Sequence, residues 1–336
     1  MSTDRFLRSM RSRVAKAFAL AFVFSLALTG KTYAATNWSA IQSALGTTGT
    51  LLPGNVLRFE LVRHDLPIMI NGTAMPYYEI AAVANGFIAF EPTYGGQFFV
   101  DGSLPTQDSE LPAVQNALRS SKSIHITAIG NRVLNETPEV ISVHFEATGD
   151  GGVLATTLAS ALAAIKNPQL NVVVIPGTNT VFDPASILPP NFLKLFDEGF
   201  VEQLDETFAF YLPRPDENEI FLGSARAEPG LGVGQSFNIQ VDFSGGTNVT
   251  LDIDFALKAE EVQAVEDVLR TGGFTITAQS NNFIGEEPRL YFVHATGSGD
   301  GFTLGDALYS AIQIIEADSG HHGYHDGDHG IGHFGG

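Results

Sequence analysis

An internal duplication constrains the fold of this chain more than any other feature of its sequence. Residues 126–151 read ITAIGNRVLNETPEVISVHFEATGDG, and residues 276–301 read ITAQSNNFIGEEPRLYFVHATGSGDG. Identical residues recur at the same internal positions, so the match indicates one structural unit present twice rather than a shared composition. A residue kept in both copies usually serves the fold of the unit. A residue present in only one copy is a candidate for a special task.

The repeat extends well beyond this segment. Arg63 and Asp65 align with Arg214 and Asp216 at a spacing of 151 positions. We therefore expect two similar domains at residues 37–165 and 182–315, each near the usual domain size of about 100–150 residues. The intervening residues 166–181 carry Pro and Gly, and we expect them to form a connection.

Each copy shows strand patterns first, then a helix, a hairpin and a second helix. The strand patterns lie at residues 57–62, 67–70, 86–90, 97–100, 207–212, 237–243 and 249–255. The helical patterns lie at residues 108–120, 153–165, 260–271 and 303–315. This order predicts an α+β fold of tandem units, each a mainly antiparallel sheet with helices on one face, in a pseudo-twofold arrangement. Gly230, Gly232 and Gly234 predict a flexible loop in the second copy.

The amino terminus has the pattern of a targeting segment. Basic residues precede the apolar run at 17–28, and small residues follow at positions 32–34. The run is shorter than the about 20 residues of a spanning helix, although a retained anchor is the alternative. We expect a signal peptide at residues 1–34, cleavage after Ala34, a periplasmic or secreted protein, and no stable membrane insertion after cleavage.

The charge and the lack of cysteine exclude several classes of function. The sequence has no cysteine, which excludes disulfides, thiol chemistry and a lipid anchor on cysteine. Without residues 1–34 it keeps 12 basic and 36 acidic residues, a balance that disfavours nucleic acid and anionic membranes as partners. The acidity either keeps an exported protein in solution or favours a cationic or metal ligand.

The last residues, 318–336, consist mainly of Gly, His and Asp, and this composition predicts a disordered tail. Its histidines are the densest set of metal ligands in the chain: His321, His322, His325, His329 and His333. Imidazoles at short spacing can bind zinc, nickel or copper. An idle solvated tail is the alternative, and the fold itself requires no cofactor.

His144 and His294 are the histidines that the two copies share. Strand alternation places His144 on one face with Ser142 and Glu146. One interpretation is catalytic: a hydrolase site between the copies, with His144, Glu146 and Arg63 on one wall. The other is a structural histidine in each copy, and we favour it because the two histidine faces carry different neighbours.

The repeated Arg-x-Asp pairs are candidates for ligand binding. Arg63 with Asp65, and Arg214 with Asp216, are each separated by one residue at the end of a strand, so both side chains project to one face. Such a pair either clamps an anionic ligand or forms an ion pair inside its own domain.

Each copy also contains Gly-Asp-Gly just before a helix. Calcium sites need further acidic ligands at alternating positions, and neither segment supplies them. We therefore predict that Asp150 and Asp300 are helix N-caps.

The repeated hairpin resembles that of exported bacterial proteins of the LppY/LpqO type, which carry two copies of a domain of unknown function. The resemblance rests on residues 59–65, 114–119 and 126–144 and on their counterparts 210–216, 262–270 and 276–294. It implies the two-domain architecture and export. The usual pattern in this family is A-L-H-N-H followed by a proline and a Met-His, a plausible three-imidazole metal site.

This sequence departs from the family pattern at the hairpin. Gly130-Asn131-Arg132 and Ser280-Asn281-Asn282 stand where the family has His-Asn-His. The resemblance therefore implies that such a metal site is lost here. We predict an exported non-catalytic binding or structural protein of the bacterial envelope. The alternatives are a periplasmic metal-binding protein that acts through the tail and a hydrolase with a site between the repeats.

Overall fold

The computed structural model describes residues 36–70, 73–74, 85–166, 168–170, 183–197, 199–204, 207–223, 225–228, 230–241 and 246–318. The predicted signal peptide, most of the predicted connection and the histidines of the tail lie outside these residues.

Repeat one begins with a short helix and continues as strands, a helix, a hairpin and a third helix. Its helices are α1 (Ser39–Leu45), α2 (Leu111–Arg119) and α3 (Gly151–Leu162). Its strands are β1 (Thr50–Leu52), β2 (Val56–Val62), β3 (Met69–Ile70), β4 (Thr73–Ala74), β5 (Asn85–Pro92), β6 (Phe98–Thr106), β7 (Ile124–Asn131), β8 (Glu136–Thr137), β9 (Ile141–Gly149) and β10 (Gln169–Leu170).

Repeat two follows the same order. Its helices are α4 (Pro190–Lys194), α5 (Ala259–Thr271) and α6 (Gly301–Asp318). Its strands are β11 (Phe200–Leu204), β12 (Thr207–Pro213), β13 (Phe221–Leu222), β14 (Ala225–Arg226), β15 (Gly234–Val241), β16 (Asn248–Lys258), β17 (Thr275–Ser280), β18 (Glu286–Glu287) and β19 (Leu290–Asp300). Among the helices of the described residues, none is long and apolar enough to cross a membrane.

Most strands of each repeat form one large antiparallel sheet, while the short strands β3, β4 and β8, and likewise β13, β14 and β18, form a small three-stranded sheet. The strand order is β1-β2-β5-β6-β9-β7 in repeat one, with β10 added beside β2, and β11-β12-β15-β16-β19-β17 in repeat two. The register places Ser103 opposite His144 on β6 and β9, and Asp254 opposite His294 on β16 and β19. The predicted α+β class and the duplication are confirmed.

Helices cover one face of each sheet. In repeat one, Phe90 and Phe145 of the sheet share a buried cluster with Val114 of α2 and Leu158 of α3. Repeat two has an equivalent cluster beneath α5 and α6. Burying each such side chain stabilises the fold by about 1.5–3 kcal/mol, so these clusters hold the helices to the sheets.

The two repeats pack against each other through the opposite faces of their sheets. Ala89 and Phe99 of repeat one share a buried cluster with Leu290 and Phe292 of repeat two. Successive side chains of a strand point to opposite faces, so this cluster lies on the side of each sheet that turns away from the helices. The layers therefore follow the order helix, sheet, sheet, helix.

A segment of repeat two, residues 227–228 and 230–233, packs on the sheet of repeat one, and we call it the glycine loop. A Cβ atom on Gly230 would lie 2.5 Å from a carbon of Leu52, and one on Gly232 would lie 2.9 Å from the ring of Phe87. Both glycines have positive φ angles, 103° and 70°. These glycines let the backbone approach repeat one closely, and the flexibility of the loop stays a prediction. Gly234, the third glycine of the predicted loop, is the first residue of β15.

Element boundaries differ from the predicted ones at several ends. Helix α2 begins at Leu111, because residues before it form a turn in which the Gln107 N–H donates to the Glu110 carboxylate over 2.9 Å. Helix α6 continues to Asp318, whose carboxylate lies 3.2 Å from Lys258 Nζ. A hydrogen bond within a local turn lies at the first of these ends and an ion pair to the distant Lys258 at the second, and helical periodicity reports neither.

Candidate functional site

The central strands of the two sheets place His144 and His294 at the contact between the repeats. Val143 and Phe145 point into the helix-side core of repeat one, so His144 between them points to repeat two. His144 is 8% exposed and His294 is 1% exposed. Burial lowers the pKa of His144 well below its usual value, and the charges of Arg132 and His294 lower it further.

Arg132 approaches His144 from the hairpin that follows β7. Its Nη2 atom donates to His144 Nε2 and lies 3.3 Å from Ser103 Oγ. The hairpin is held by Asn131, which accepts from the Val133 N–H over 2.9 Å and donates to Glu136 over 2.7 Å. The asparagine that both copies keep is therefore a turn residue, and it presents Arg132 to the neighbouring repeat.

Repeat two supplies two aspartates that face Arg132. Asp252 and Asp254 are two residues apart on β16, so both point to the same side of the sheet. Asp254 Oδ1 lies 3.5 Å from His294 Nε2. We call Arg132, His144, Asp252, Asp254 and His294 the inter-repeat cluster.

Burial dominates the protonation of the inter-repeat cluster. It raises the pKa of Asp252 to about 8 and that of Asp254 to about 7, while the charge of Arg132 opposes both shifts. It also lowers the pKa of His144 and of His294 well below the usual value, and Arg132 lowers both further. Near pH 7 both imidazoles are therefore neutral, and Asp252 keeps its proton.

Several buried atoms of the cluster lack a partner. Within the described ranges, no hydrogen bond reaches either ring nitrogen of His294, either carboxylate oxygen of Asp252, or Asp254 Oδ1. Arg132 and Asp254 are half-buried, so the cluster reaches the protein surface at these two side chains. The cluster thus combines unsatisfied polar groups with an exposed edge, as a ligand-binding site does.

The two Arg-x-Asp pairs form buried ion pairs inside their own repeats. Arg214 donates to Asp216 over 2.8 Å and to Glu261 over 2.8 Å. Arg63 donates to Asp65 over 2.8 Å and to Glu110 over 2.9 Å. We call each arginine together with its two carboxylate partners an ion-pair knot. Each arginine therefore pairs with carboxylates of its own repeat. The bonds of these arginines hold the strand end to the start of the next helix.

The predicted hydrolase wall of His144, Glu146 and Arg63 does not meet at one point. Arg63 donates within its ion-pair knot, and His144 accepts from Arg132. Glu146 accepts from the Ile284 N–H of repeat two over 3.1 Å. The three side chains therefore hold different partners in place.

The two aspartates of the Gly-Asp-Gly segments are helix N-caps, as predicted. Asp150 accepts from the Val153 N–H over 2.9 Å, and Asp300 accepts from the Thr303 N–H over 3.0 Å. These bonds satisfy free backbone donors at the starts of α3 and α6.

Metal ligation is a separate question from these contacts. Among the side chains that the structure describes, no group of three or more His, Asp and Glu residues is placed to hold one metal ion. The five tail histidines lie outside the described residues, so their role stays a prediction.

Sequence reasoning missed Asp252, Asp254, Glu110 and Glu261. A signal for the two glutamates was present, because they align with each other at the same spacing of 151 that relates Arg63 to Arg214. The aspartates alternate with buried apolar residues on β16, a pattern typical of a strand with one solvated face. That face is covered by repeat one, which the pattern does not indicate.

The solved structures found to be similar to this chain resemble it only distantly. No curated protein matches it. Among solved structures, EtuB from Clostridium kluyveri is 10% identical with a TM-score of 0.20, covering 81% of this chain and 90% of that one. The trimeric bacterial microcompartment shell protein PduB is 11% identical with a TM-score of 0.21, covering 79% and 89%. An unknown protein from Galdieria sulphuraria is 12% identical with a TM-score of 0.19, covering 67% and 93%. Scores this low carry no argument about fold or function.

The family comparison agrees with the duplication seen in sequence and structure. A family model described as a domain of unknown function (DUF1259) matches residues 39–164 and again residues 197–314. Together the two matches span most of the chain and fall on the two repeats of the structure. The chain therefore belongs to the DUF1259 family and carries that domain twice.

Proposed function

We propose that this protein is an exported, non-catalytic binding protein of the bacterial envelope, with its ligand site at the inter-repeat cluster. The observation that carries this proposal is the pair His294 and Asp252, which are 1% and 3% exposed and whose polar side-chain atoms lack partners in the described part of the chain. An unsatisfied buried polar group costs about 1–3 kcal/mol. A bound polar molecule that completes these hydrogen bonds removes that cost.

The contacts of His144 support binding rather than catalysis. A general base needs a free lone pair aimed at its substrate. The guanidinium of Arg132 donates to the Nε2 atom of His144 and so occupies that lone pair. This histidine serves to position Arg132 at the contact between the repeats.

The cluster offers both donors and acceptors to a ligand. Arg132 supplies one fixed positive charge, the imidazoles of His144 and His294 are neutral, and Asp252 keeps a proton near pH 7. A small polar molecule that both donates and accepts hydrogen bonds fits this set.

The proposal predicts that protein recovered from the periplasm carries a bound small molecule. The full chain, produced in bacteria, recovered from the periplasm and then denatured, should release about one equivalent of a polar molecule, seen by mass spectrometry. The variant Asp252→Leu/His294→Leu should release none, because apolar side chains remove the partners at little cost in stability. Glu316→Gln, which changes a buried acid on α6, is the matched control and should release it normally.

Two results would overturn the proposal. One is equal release from wild type and from Asp252→Leu/His294→Leu, with both proteins folded by circular dichroism. The other is turnover of an ester, peptide or glycan substrate that is abolished by His144→Ala.

We also propose that the protein is of the LppY/LpqO type. The features that support this are the hairpin asparagines, Asn131 and Asn281, which hold equivalent turns through Glu136 and Glu286. Arg132 stands where that type usually has a histidine, and it contacts the later histidine, His144. In this chain, a cation fixed to the protein therefore lies beside the repeated histidine.

A second candidate function is metal binding by the tail, which is favoured by five histidines within residues 321–333. Protein recovered from the periplasm should first show, by intact mass, a chain that starts at Ala35. Elemental analysis should then find zinc, nickel or copper in the full chain and not in one that ends at Asp318. The cut follows Asp318 because that residue pairs with Lys258. Equal metal content in both chains would exclude this role.

A further inference from the structure

The two repeats place equivalent residues beside their shared histidines. In repeat one, Ser103 lies opposite His144 on neighbouring strands, and in repeat two Asp254 lies opposite His294. The duplication aligns Ser103 with Asp254 and His144 with His294. The pair of Asp254 and His294 in repeat two therefore corresponds to the pair of Ser103 and His144 in repeat one.

An arginine of the chain completes the pair in repeat one. Arg132 Nη2 donates to His144 Nε2 and lies 3.3 Å from Ser103 Oγ, so one guanidinium nitrogen serves both members of the pair. The imidazole and the hydroxyl both accept hydrogen bonds, and a guanidinium has only donors to offer. The pair in repeat one is therefore a binding site for a guanidinium group, which the chain itself supplies.

The equivalent pair in repeat two has no such partner among the described residues. The duplication aligns Arg132 with Asn282, whose side-chain oxygen accepts from Ser280 Oγ over 2.9 Å. His294 is 1% exposed, and in the described part of the chain neither of its ring nitrogens is hydrogen-bonded, nor is Asp254 Oδ1. Asp254 Oδ1 lies 3.5 Å from His294 Nε2, close enough for one donor group to reach both atoms. These acceptors are therefore open to a donor from outside the chain.

The charge of the pair in repeat two favours a cation as that donor. Repeat two has the carboxyl of Asp254 where repeat one has the hydroxyl of Ser103, and Asp252 lies two residues away on the same face of β16. Asp252 is 3% exposed, and within the described ranges both of its carboxylate oxygens lack partners. A hydrogen bond from a guanidinium to a carboxylate is about twice as strong as one between neutral groups. Arg132 carries a single charge, so it balances only one of the two carboxylates, and a second cation balances the other.

We propose that the small molecule bound at the inter-repeat cluster carries a guanidinium group, which donates to His294 and Asp254 as Arg132 donates to His144. This inference rests on the proposed function and names the chemical class of its ligand. The side chain of Asp254 is 20% exposed, so the pair is reached from the protein surface on its side. Asp252 lies deeper and accepts from a further N–H of the same group.

Two probes of similar shape test the charge of the ligand. Methylguanidine is planar and carries one positive charge, and methylurea is planar and uncharged. We expect the dialysed full chain to bind methylguanidine at least about tenfold more tightly than methylurea, measured by ligand-observed NMR, because only the cation forms charge-assisted hydrogen bonds with the aspartates. Asp252→Leu/His294→Leu should bind neither probe. Equal affinity of the wild-type protein for the two probes would overturn the inference.

Two variants that copy repeat one into repeat two test the position of the site. Asn282→Arg gives repeat two a guanidinium of its own and should weaken the binding of methylguanidine at least about tenfold. Asp254→Ser removes the carboxylate and should weaken binding by a similar factor. Thr271→Arg adds an arginine at the exposed end of α5, serves as the matched control and should bind like wild type. Binding that is unchanged in Asn282→Arg and in Asp254→Ser would overturn the inference.

The molecule released from periplasmic protein separates this inference from the proposed function. Its mass and elemental composition, followed by fragmentation, should identify a guanidinium group. A released molecule without that group would overturn the inference and leave the proposed function standing. If no molecule is released and methylguanidine does not bind, both are overturned.

Discussion

Replacing Arg214 with methionine is expected to lower the free energy of unfolding by about 3–5 kcal/mol, because it leaves the buried Glu261 carboxylate without its cation and leaves Asp216 with Lys258 as its remaining cation. Arg214 is 2% exposed and donates to Asp216, to Glu261 and to the Ala256 carbonyl. Asp216 and Glu261 are 2% and 1% exposed, so water cannot take the place of the guanidinium. Urea unfolding of the full chain at pH 7 measures the loss.

Two comparisons isolate the effect of the ion-pair knot. Arg270→Met removes an exposed arginine from the end of α5 and should change the free energy of unfolding by no more than about 0.5 kcal/mol. Arg63→Met should cost less than Arg214→Met, because the side chain of its partner Asp65 is 13% exposed. If Arg214→Met were no more destabilising than Arg270→Met, the knot would contribute little to stability.

The sequence was sufficient for the architecture of each repeat because strand alternation and helical spacing are local properties. The faces of β9 illustrate this, since Val143 and Phe145 enter the core and His144 points away from it, as the pattern predicts. The alignment of the two copies also identified both Arg-x-Asp pairs before their partners were known. Those partners, Glu110 and Glu261, lie 47 residues further along the chain.

The contact between the repeats could not be predicted in this way. Asp252 and Asp254 alternate with apolar residues, and the same pattern describes a strand that faces water. Gly230 and Gly232 have the composition of a flexible loop, yet they are needed where backbone passes close to Leu52 and Phe87. In each case residues of repeat one surround a residue of repeat two. The periodicity of the sequence within repeat two contains no information about that contact.

The difference between the two hairpins also acts at this contact. Arg132 occurs in one copy only, and Asn282 stands at its place in the other. In the structure Arg132 is the cation between the histidine of its own repeat and the aspartates of the next. Arg132, which one copy has and the other lacks, therefore lies where the two repeats meet and differ.

Replacing Arg132 with methionine is expected to destabilise the protein in a pH-dependent way, by about 1 kcal/mol at pH 6 and about 3 kcal/mol at pH 9. Burial raises the pKa of Asp252 to about 8 and of Asp254 to about 7, and Arg132 opposes both shifts. The folded state therefore binds these protons more tightly than the unfolded state, and stability falls as the pH rises through this range. Without Arg132 the pKa values of Asp252 and Asp254 rise further, so the stability of the folded protein continues to fall at higher pH values.

Urea unfolding of wild type and Arg132→Met at several pH values between 6 and 9 measures this difference. Arg132→Lys keeps the charge and should follow the wild-type pH dependence more closely, although it loses the planar contact with His144. Adding Asp252→Asn to Arg132→Met should restore part of the stability at pH 9, because one of the acids that lost its cation is then neutral. A gap between Arg132→Met and wild type that is the same at pH 6 and pH 9 would mean that packing, and not the charge of Arg132, holds the repeats together at this point.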